Sequence, residues 1–542
     1  MVGVAGKSQA CNTCRERRVK CDLSRPSCLK CISSKRTCAG YGRDLIFVNR
    51  TPSRPASTAT SVLSELKAQQ QLKNNLATSK TEAELHRLFF NSSQNCQEFR
   101  KYAVELLKAT YLPKQSASNS PKGETSDGSY SWAYSLTDLV EPSKSLDTSI
   151  FAFCLAQLHI TATGNVSLYQ CLDQYNIALQ QLYSDLGVPG RQLREETLAA
   201  ILVLSTCELF ISKGNNGWSI HAHGLTEILR LRDPGMTITP AWRHLLSRLR
   251  IICVLEALTN RQAQFLKIDT WGQIITDPRS SDALNEVYQM IIDVPFILEK
   301  AVALPSIDDS SILLKESIAL MQSIFAILQA IRSWNDDFWN VSPTPRFWLV
   351  PSRVTNPADV DSSNKIFPFC FEFSSINVAV AIVMSWSVVT QLYSNIIQIY
   401  DLVQARLGRS VELDDTLAHA DPFSVDIPTM LGPPGGKTEG STTDKGRSIQ
   451  EIQEEGTRMV RYVCQSLEYH HRIEMGTYGG HATTYACWSA RQYFRLHSGH
   501  ERERLWLQNI HKTKGPGTQW GLSMMTFVDI ADPLGSSPTK QL

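Results

Sequence analysis

Residues 11–38 read CNTCRERRVKCDLSRPSCLKCISSKRTC. Six of the chain's 14 cysteines fall in this stretch, among Arg15, Arg17, Arg18, Lys20, Arg25, Lys30, Lys35 and Arg36. The spacing is C-x2-C-x6-C-x6-C-x2-C-x6-C. Cys11, Cys14 and Cys21 are repeated 17 residues later as Cys28, Cys31 and Cys38. Repeated CxxC in a reducing setting reads as metal ligation. Thiolates without histidine favour zinc, and structural zinc takes four ligands in a tetrahedron. One ion would leave two cysteines idle, and two separate ions would need eight. Six thiolates satisfy two ions when two sulfurs bridge, and the repeat implies one bridging sulfur per half. Six thiolates and two Zn²⁺ carry about −2, which the basic residues can offset.

Each CxxC is expected to open a short helix whose first-turn N–H groups point at the sulfurs. The loop 22–27 joins the halves, with Pro26 restricting it. So small a head has almost no apolar core, so metal binding supplies its folding free energy. The charge is concentrated here as well. Residues 1–50 hold 11 Lys/Arg against 3 Asp/Glu, a formal +8, and the other 492 residues hold 43 against 49, a formal −6. A basic head on a mildly acidic body fits a nucleic-acid-binding head. The basic side chains would neutralise phosphates, and one or two must reach base edges for specificity. The cluster 15–20 also fits a nuclear-import signal.

The residues Cys11-x-x-Cys14-Arg15-x-Arg17-Arg18-x-Lys20-Cys21-Asp22, then Pro26-x-Cys28-x-x-Cys31 and Cys38, resemble the fungal binuclear zinc-cluster transcription factors. The resemblance implies that Cys11 and Cys28 are the bridging thiolates of two zinc ions. It implies that Arg18 stands where the family usually has a lysine reading a CGG-like triplet. Arg15, Arg17, Lys20, Lys30, Lys35 and Arg36 would be phosphate or flanking contacts. Implied with it are double-stranded DNA and the transcription machinery as partners, a nuclear location, and control of RNA polymerase II genes of a metabolic or secondary-metabolite kind. A small-molecule effector is left open.

After a head at 1–48, residues 49–84 read as a linker with a weak helical segment. Val62, Leu63, Leu66, Leu72 and Leu76 make about two poor heptads, fewer than a coiled coil needs. Monomer and homodimer therefore both stay open. Residues 85–542 read as an all-α domain with disordered loops near 114–128 and 414–448. Helices are expected over 172–186, with Leu172, Tyr175, Leu179, Leu182 and Leu186 on one face, and over 197–211, apolar nearly all round. Further helices are expected at 218–235 and near 244–258, 313–335, 373–402, 456–473 and 482–497. Tyr175, Leu179, Leu182, the run 198–208, and Trp218-x-x-His221-x-x-Gly224 resemble the family's helical regulatory domain, as Gly40-Tyr41 and Phe47 do for one subgroup.

No secretory signal is read at the start. The charge-free run 373–400 is the best membrane candidate, but Ser387, Gln391, Ser394, Asn395 and Gln398 draw a polar stripe on it, so a buried helix is expected. The eight other cysteines are expected to be small buried hydrophobes. GPPGGKT at 432–438 lacks the spacing and context of a phosphate loop. His221, His223, His470 and His471 lack nearby ligand partners in sequence, and no GxSxG or HExxH occurs, so no enzyme is expected. The apolar segment 520–534 is expected to pack on the body.

Overall fold

The structure is a computed structural model. It describes residues 10–38 apart from 12, 15, 16, 18, 25–27 and 35, then 80–114, 130–211 apart from 162 and 164, 217–231, 239–263, 283–340, 345–407 apart from 362, and 449–520. Contacts divide the chain into two units, residues 1–70 and 71–542. The linker helix, the loops at 115–128 and 414–448, the GPPGGKT run and the segment after 520 lie outside the described residues.

In the first unit a helical turn at 13–14 and α1 (Leu29–Ser33) are the regular elements. The buried cluster there consists of cysteines alone, Cys11, Cys14, Cys28 and Cys31. Val19, Leu29 and Ile32 are exposed, so among the described residues this head has no apolar core to hold it.

The second unit is helical. In order it has α2 (80–90), α3 (Cys96–Thr110), α4 (Ser131–Ser135), α5 (Lys144–Ile160), α6 (Leu168–Leu186), α7 (Glu195–Ile211), α8 (Gly217–Arg230) and α9 (Pro240–Asn260). Next come α10 (Ala283–Ile291), α11 (Val294–Ala303), α12 (Ser310–Asn340), the strands β1 (Phe347–Pro351) and β2 (Phe369–Phe373), α13 (Ile376–Leu407), α14 (Ile449–His470), α15 (Gly476–Ala482), α16 (Thr484–Leu496) and α17 (Glu501–Gln508). Local sequence sets several starts. Ser167 and Gln170 form a reciprocal capping box at α6, and Thr239 caps α9 with Pro240 in its first turn. Helix α5 packs on α3, α6 and α7, and α13 packs on α10, α12, α14 and α16. Helix α9 touches α7, α8 and α10 and so links the two groups.

The expected helices are present, with adjusted ends. On α6 the buried set is Cys171, Tyr175, Ala178 and Leu182. Leu172, expected on that face, is exposed, because it stands about 100° round the helix from Cys171. The body also departs from all-α through one antiparallel pair, β1 with β2, in register Phe347↔Phe373 to Pro351↔Phe369. Phe347, Phe371 and Phe373 pack on Trp386 of α13, with ring centroids 5.3, 5.0 and 6.3 Å away.

Two described helices are long and apolar enough to cross a membrane. The apolar window of Ile376–Arg406 is 94% buried in the body, and that of Ser310–Phe338 is 33% buried. Only the first had stood out in the sequence. Its polar stripe is used internally. Ser385, Ser387 and Thr390 donate to carbonyls of their own helix, and Gln391 donates to the Leu258 carbonyl oxygen at 3.1 Å and accepts from Tyr485.

Candidate metal centre and nucleic-acid interface

The six head cysteines fall into two four-sulfur sets, Cys11, Cys14, Cys21, Cys28 and Cys11, Cys28, Cys31, Cys38, each with all Sγ atoms within 4.8 Å of one another. The sets share Cys11 and Cys28. The sulfurs of Cys11 and Cys28 are 3.6 Å apart, as are those of Cys14 and Cys28, and Cys31 lies 3.9 Å from both Cys11 and Cys14. A tetrahedron with Zn–S of 2.3 Å has sulfur–sulfur edges of about 3.8 Å. The spacing therefore suits zinc, and the six cysteines form a site able to bind two zinc ions, with the bridging pair in the places that the repeat requires.

The backbone repeats the sequence symmetry. Cys14 N–H donates to Cys11 Sγ at 3.4 Å, and Cys31 N–H donates to Cys28 Sγ at 3.3 Å. Val19 N–H donates to the Cys14 carbonyl at 3.1 Å, and 17 residues on Arg36 N–H donates to the Cys31 carbonyl at 3.0 Å. Each shared sulfur thus receives the N–H of the second cysteine of its own CxxC turn, and in the second half Cys28 is the N-cap of α1. Burial pushes the Cys11 thiol up to about 12 and raises those of Cys14 and Cys28. In this packing those three sulfurs hold their protons at neutral pH unless a cation replaces them, which is how a site of this kind couples zinc to folding.

The halves are tied together by hydrogen bonds, among them one from Thr13 Oγ1 to the Thr37 carbonyl at 3.3 Å. Asp22 accepts from the N–H groups of Leu29 and Lys30 at 3.0 and 3.1 Å, and Arg17 Nη1 donates to Ser34 Oγ at 3.3 Å. The Ser24 hydroxyl and these two N–H groups hold the Asp22 carboxyl well below the usual carboxylate range. Asp22 was not among the expected site residues, since its acceptor role is set by a helix seven residues downstream. Leu23 takes φ 64° at the bend, a conformation L-residues seldom adopt.

Of the expected DNA contacts, Arg17, Lys20, Lys30 and Arg36 are exposed. Arg15, Arg18 and Lys35, and Pro26 of the joining loop, lie outside the described residues. Among the described residues the two cysteine sets are the only groups of three or more metal-capable side chains. The body histidines have other uses. His221 Nε2 lies 3.0 Å from the Tyr175 hydroxyl and 3.3 Å from Glu208, which fastens α8 to α6 and α7. These partners lie on other helices, which is why the sequence around His221 showed none. None of the 14 cysteines is in a disulfide, and the eight in the body are buried, as expected of small hydrophobes.

Comparison with known proteins agrees with this geometry. Residues 9–45 match the model of the fungal Zn(2)-Cys(6) binuclear cluster domain. The chain is 61% identical over 31 residues to an uncharacterized transcriptional regulatory protein of Schizosaccharomyces pombe, covering 6% of each chain. It is 44% identical over 52 residues to White-opaque regulator 2 of Candida albicans, covering 10% of this chain and 11% of that one. It is 39% identical over 56 residues to the acriflavine sensitivity control protein acr-2 of Neurospora crassa, covering 10% and 9%. No solved structure matches. These alignments span about a tenth or less of each relative, so whatever the helical body does must come from its own residues.

Proposed function

We propose that this protein is a zinc-dependent, sequence-specific DNA-binding regulator of RNA polymerase II transcription that acts in the nucleus. In this reading residues 1–48 bind double-stranded DNA at CGG-like half-sites, 49–84 link, and 85–542 regulate rather than catalyse. The observation that carries it is the pair of four-thiol sets sharing Cys11 and Cys28, inside the basic segment that the cluster-domain model matches. Bound zinc supplies the positive charge that holds six thiolates together. The chain's own residues do the recognition. Arg18 reads the triplet through the two-pronged guanine contact open to a guanidinium. Arg15, Arg17 and Lys20 anchor the first half on phosphates, and Lys30, Lys35 and Arg36 the second. The exposure of Arg17, Lys20, Lys30 and Arg36 supports this division. The genes controlled are a metabolic or secondary-metabolite set, and the transcription machinery is the further partner.

The deciding experiment is an unbiased selection of DNA bound by the full-length, zinc-loaded protein. A CGG-like triplet is expected, and one or two copies per site will tell monomer from homodimer. Chelation of zinc should abolish binding. Arg18→Ala should lose discrimination between the selected and random duplexes, whereas Lys20→Ala should weaken both alike and lower the salt slope by about 1. Equal loss on both duplexes for Arg18→Ala sinks the reader assignment. Binding that does not fall steeply with salt sinks the phosphate contacts and with them the reading.

A further inference from the structure

A cleft opens in the helical body where α7, α9, α10, α13, α15 and α16 converge. About 750 Å³ of unfilled space lies within and in front of it, open solvent included. It is narrow, since only about 60 Å³ of that space is open to the centre of a water-sized sphere. Leu209, Ile251, Ile252, Leu255, Val380 and Met384 give it an apolar wall, and among the described residues no Asp or Glu lines it.

One cation reaches into this apolar slot. Arg248 Nη2 donates to His481 Nε2 at 3.0 Å, and Arg248 Nε is buried without a hydrogen-bond partner. A guanidinium only donates, so His481 Nε2 is the acceptor and its proton sits on Nδ1, 2.9 Å from the Tyr111 hydroxyl. Burial and the charge of Arg248 hold His481 well below its ordinary pKa. His481 therefore orients the guanidinium and adds no charge. Several other hydroxyl protons are spent within the chain. Those of Ser205 and Thr206 go to the Leu202 carbonyl, that of Thr484 to the His481 carbonyl, and that of Tyr485 to Gln391. The Tyr288 hydroxyl, within electrostatic reach of Arg248, donates to no described residue.

Arg248 is half-buried with its Nε sealed from solvent, and a partly desolvated guanidinium stays charged and is costly without a counter-charge. Arg248 has no carboxylate partner among the described residues, so the cleft carries one unanswered positive charge and unspent donors beside an apolar slot. We propose that this cleft binds a small monocarboxylic acid with a flat or unbranched apolar body, its carboxylate on Arg248 and Tyr288 and its tail between Leu209, Ile252, Leu255 and Met384. With no acidic side chain in the lining, an amine or an amino-acid zwitterion has nothing to answer its cation and is rejected. The proposal rests on the helical body alone and is independent of what the head binds.

The test uses full-length, zinc-loaded protein titrated with benzoate and hexanoate, and with benzamide and benzylamine as neutral and cationic partners, by calorimetry and thermal unfolding. At least one carboxylate is expected to bind saturably and raise the unfolding temperature, with benzamide and benzylamine at least tenfold weaker. Arg248→Gln should weaken that carboxylate by at least about thirtyfold, the effect of removing one partner of a desolvated charge pair. Leu209→Phe, at the half-buried rim, leaves the guanidinium in place and narrows the slot. It should also weaken binding, and it serves if Arg248→Gln does not fold. No saturable carboxylate binding, equal binding of benzamide, or undiminished affinity in either folded variant overturns the proposal.

Discussion

Acidification from pH 7 to pH 5 should weaken the helical body through two adjacent histidines. His470 and His471, at the C-terminal end of α14, are both buried. Each is within bonding distance of a carbonyl one turn back, Nδ1 of His470 at 3.0 Å from Ser466 O and Nδ1 of His471 at 2.9 Å from Leu467 O. Both Nδ1 atoms therefore carry the proton and donate. His470 Nε2 is buried with no partner, and the ring sits against Phe373 and Tyr469. His471 stacks on Trp520 with centroids 4.3 Å apart. A second proton on His470 would be an N–H with no acceptor, and burial pushes both residues down to about 4 from an ordinary 6.5. The folded state thus binds these protons less readily than the unfolded chain. Their contribution is complete above about pH 6.5 and is lost as pH falls towards 4. By pH 5 each group costs about 2 kcal/mol, so the pair costs about 4 kcal/mol, a large part of the 5–15 kcal/mol that typically holds a folded domain. Urea unfolding followed by helical circular dichroism, at pH 7 and pH 5, measures the loss. The comparison is with His470→Met/His471→Phe, which keeps an apolar fill and the stack on Trp520. Carboxylates titrate in both proteins, so the difference isolates the histidines. If the variant loses as much stability as the native chain between the two pH values, the reasoning is refuted.

Three other outcomes are expected. Arg100 is fully buried, 2.7 Å from Asp147, and donates to the carbonyls of Leu139 and Glu141. Arg100→Met leaves the Asp147 carboxylate buried and unpaired and should cost about 3–5 kcal/mol in urea unfolding, most of it recovered by adding Asp147→Leu. A Cβ on Gly479 would stand 2.0 Å from the His470 carbonyl oxygen and 2.7 Å from Met475 Cβ. Gly479→Ala must therefore displace α15 and should destabilise the body by about 3 kcal/mol, and a thermal melt unchanged from the native chain would count against the close approach. Cys28 belongs to both sulfur sets and Cys21 to one, so Cys28→Ser should lose both zinc ions and Cys21→Ser one, as read by elemental zinc per chain. Equal loss in the two variants contradicts the sharing.

What the sequence revealed depended on whether an interaction is counted along the chain or across it. The metal site was legible because six ligands in a fixed spacing obey a stoichiometric rule, and the same 17-residue offset reappears in the hydrogen bonds of Val19 and Arg36. Helix α7 was legible because it is apolar all round. Helix α3 was passed over because Arg100 occupies its core face and interrupts the apolar pattern. Helix α5, buried along most of its length including Ser145, Asp147, Thr148 and Ser149, has no polar face to mark its period. Strands β1 and β2 are five residues each, too short for alternation to show, and their aromatic contacts with Trp386 are made across the fold.

Arg100 and Arg248 show where sequence ceases to inform. Both are arginines on helices of the body, and nothing within a few residues of either predicts what its charge meets. Arg100 meets Asp147, 47 residues away, together with two carbonyls, so its charge is answered inside the chain and serves stability. Arg248 meets a neutral histidine 233 residues away, in a cleft with no acid among its described lining residues. The first charge is answered within the chain, whereas the second has no acid against it among the described residues. On the proposal above, that contrast separates a structural arginine from a binding one, and it is visible only in the fold.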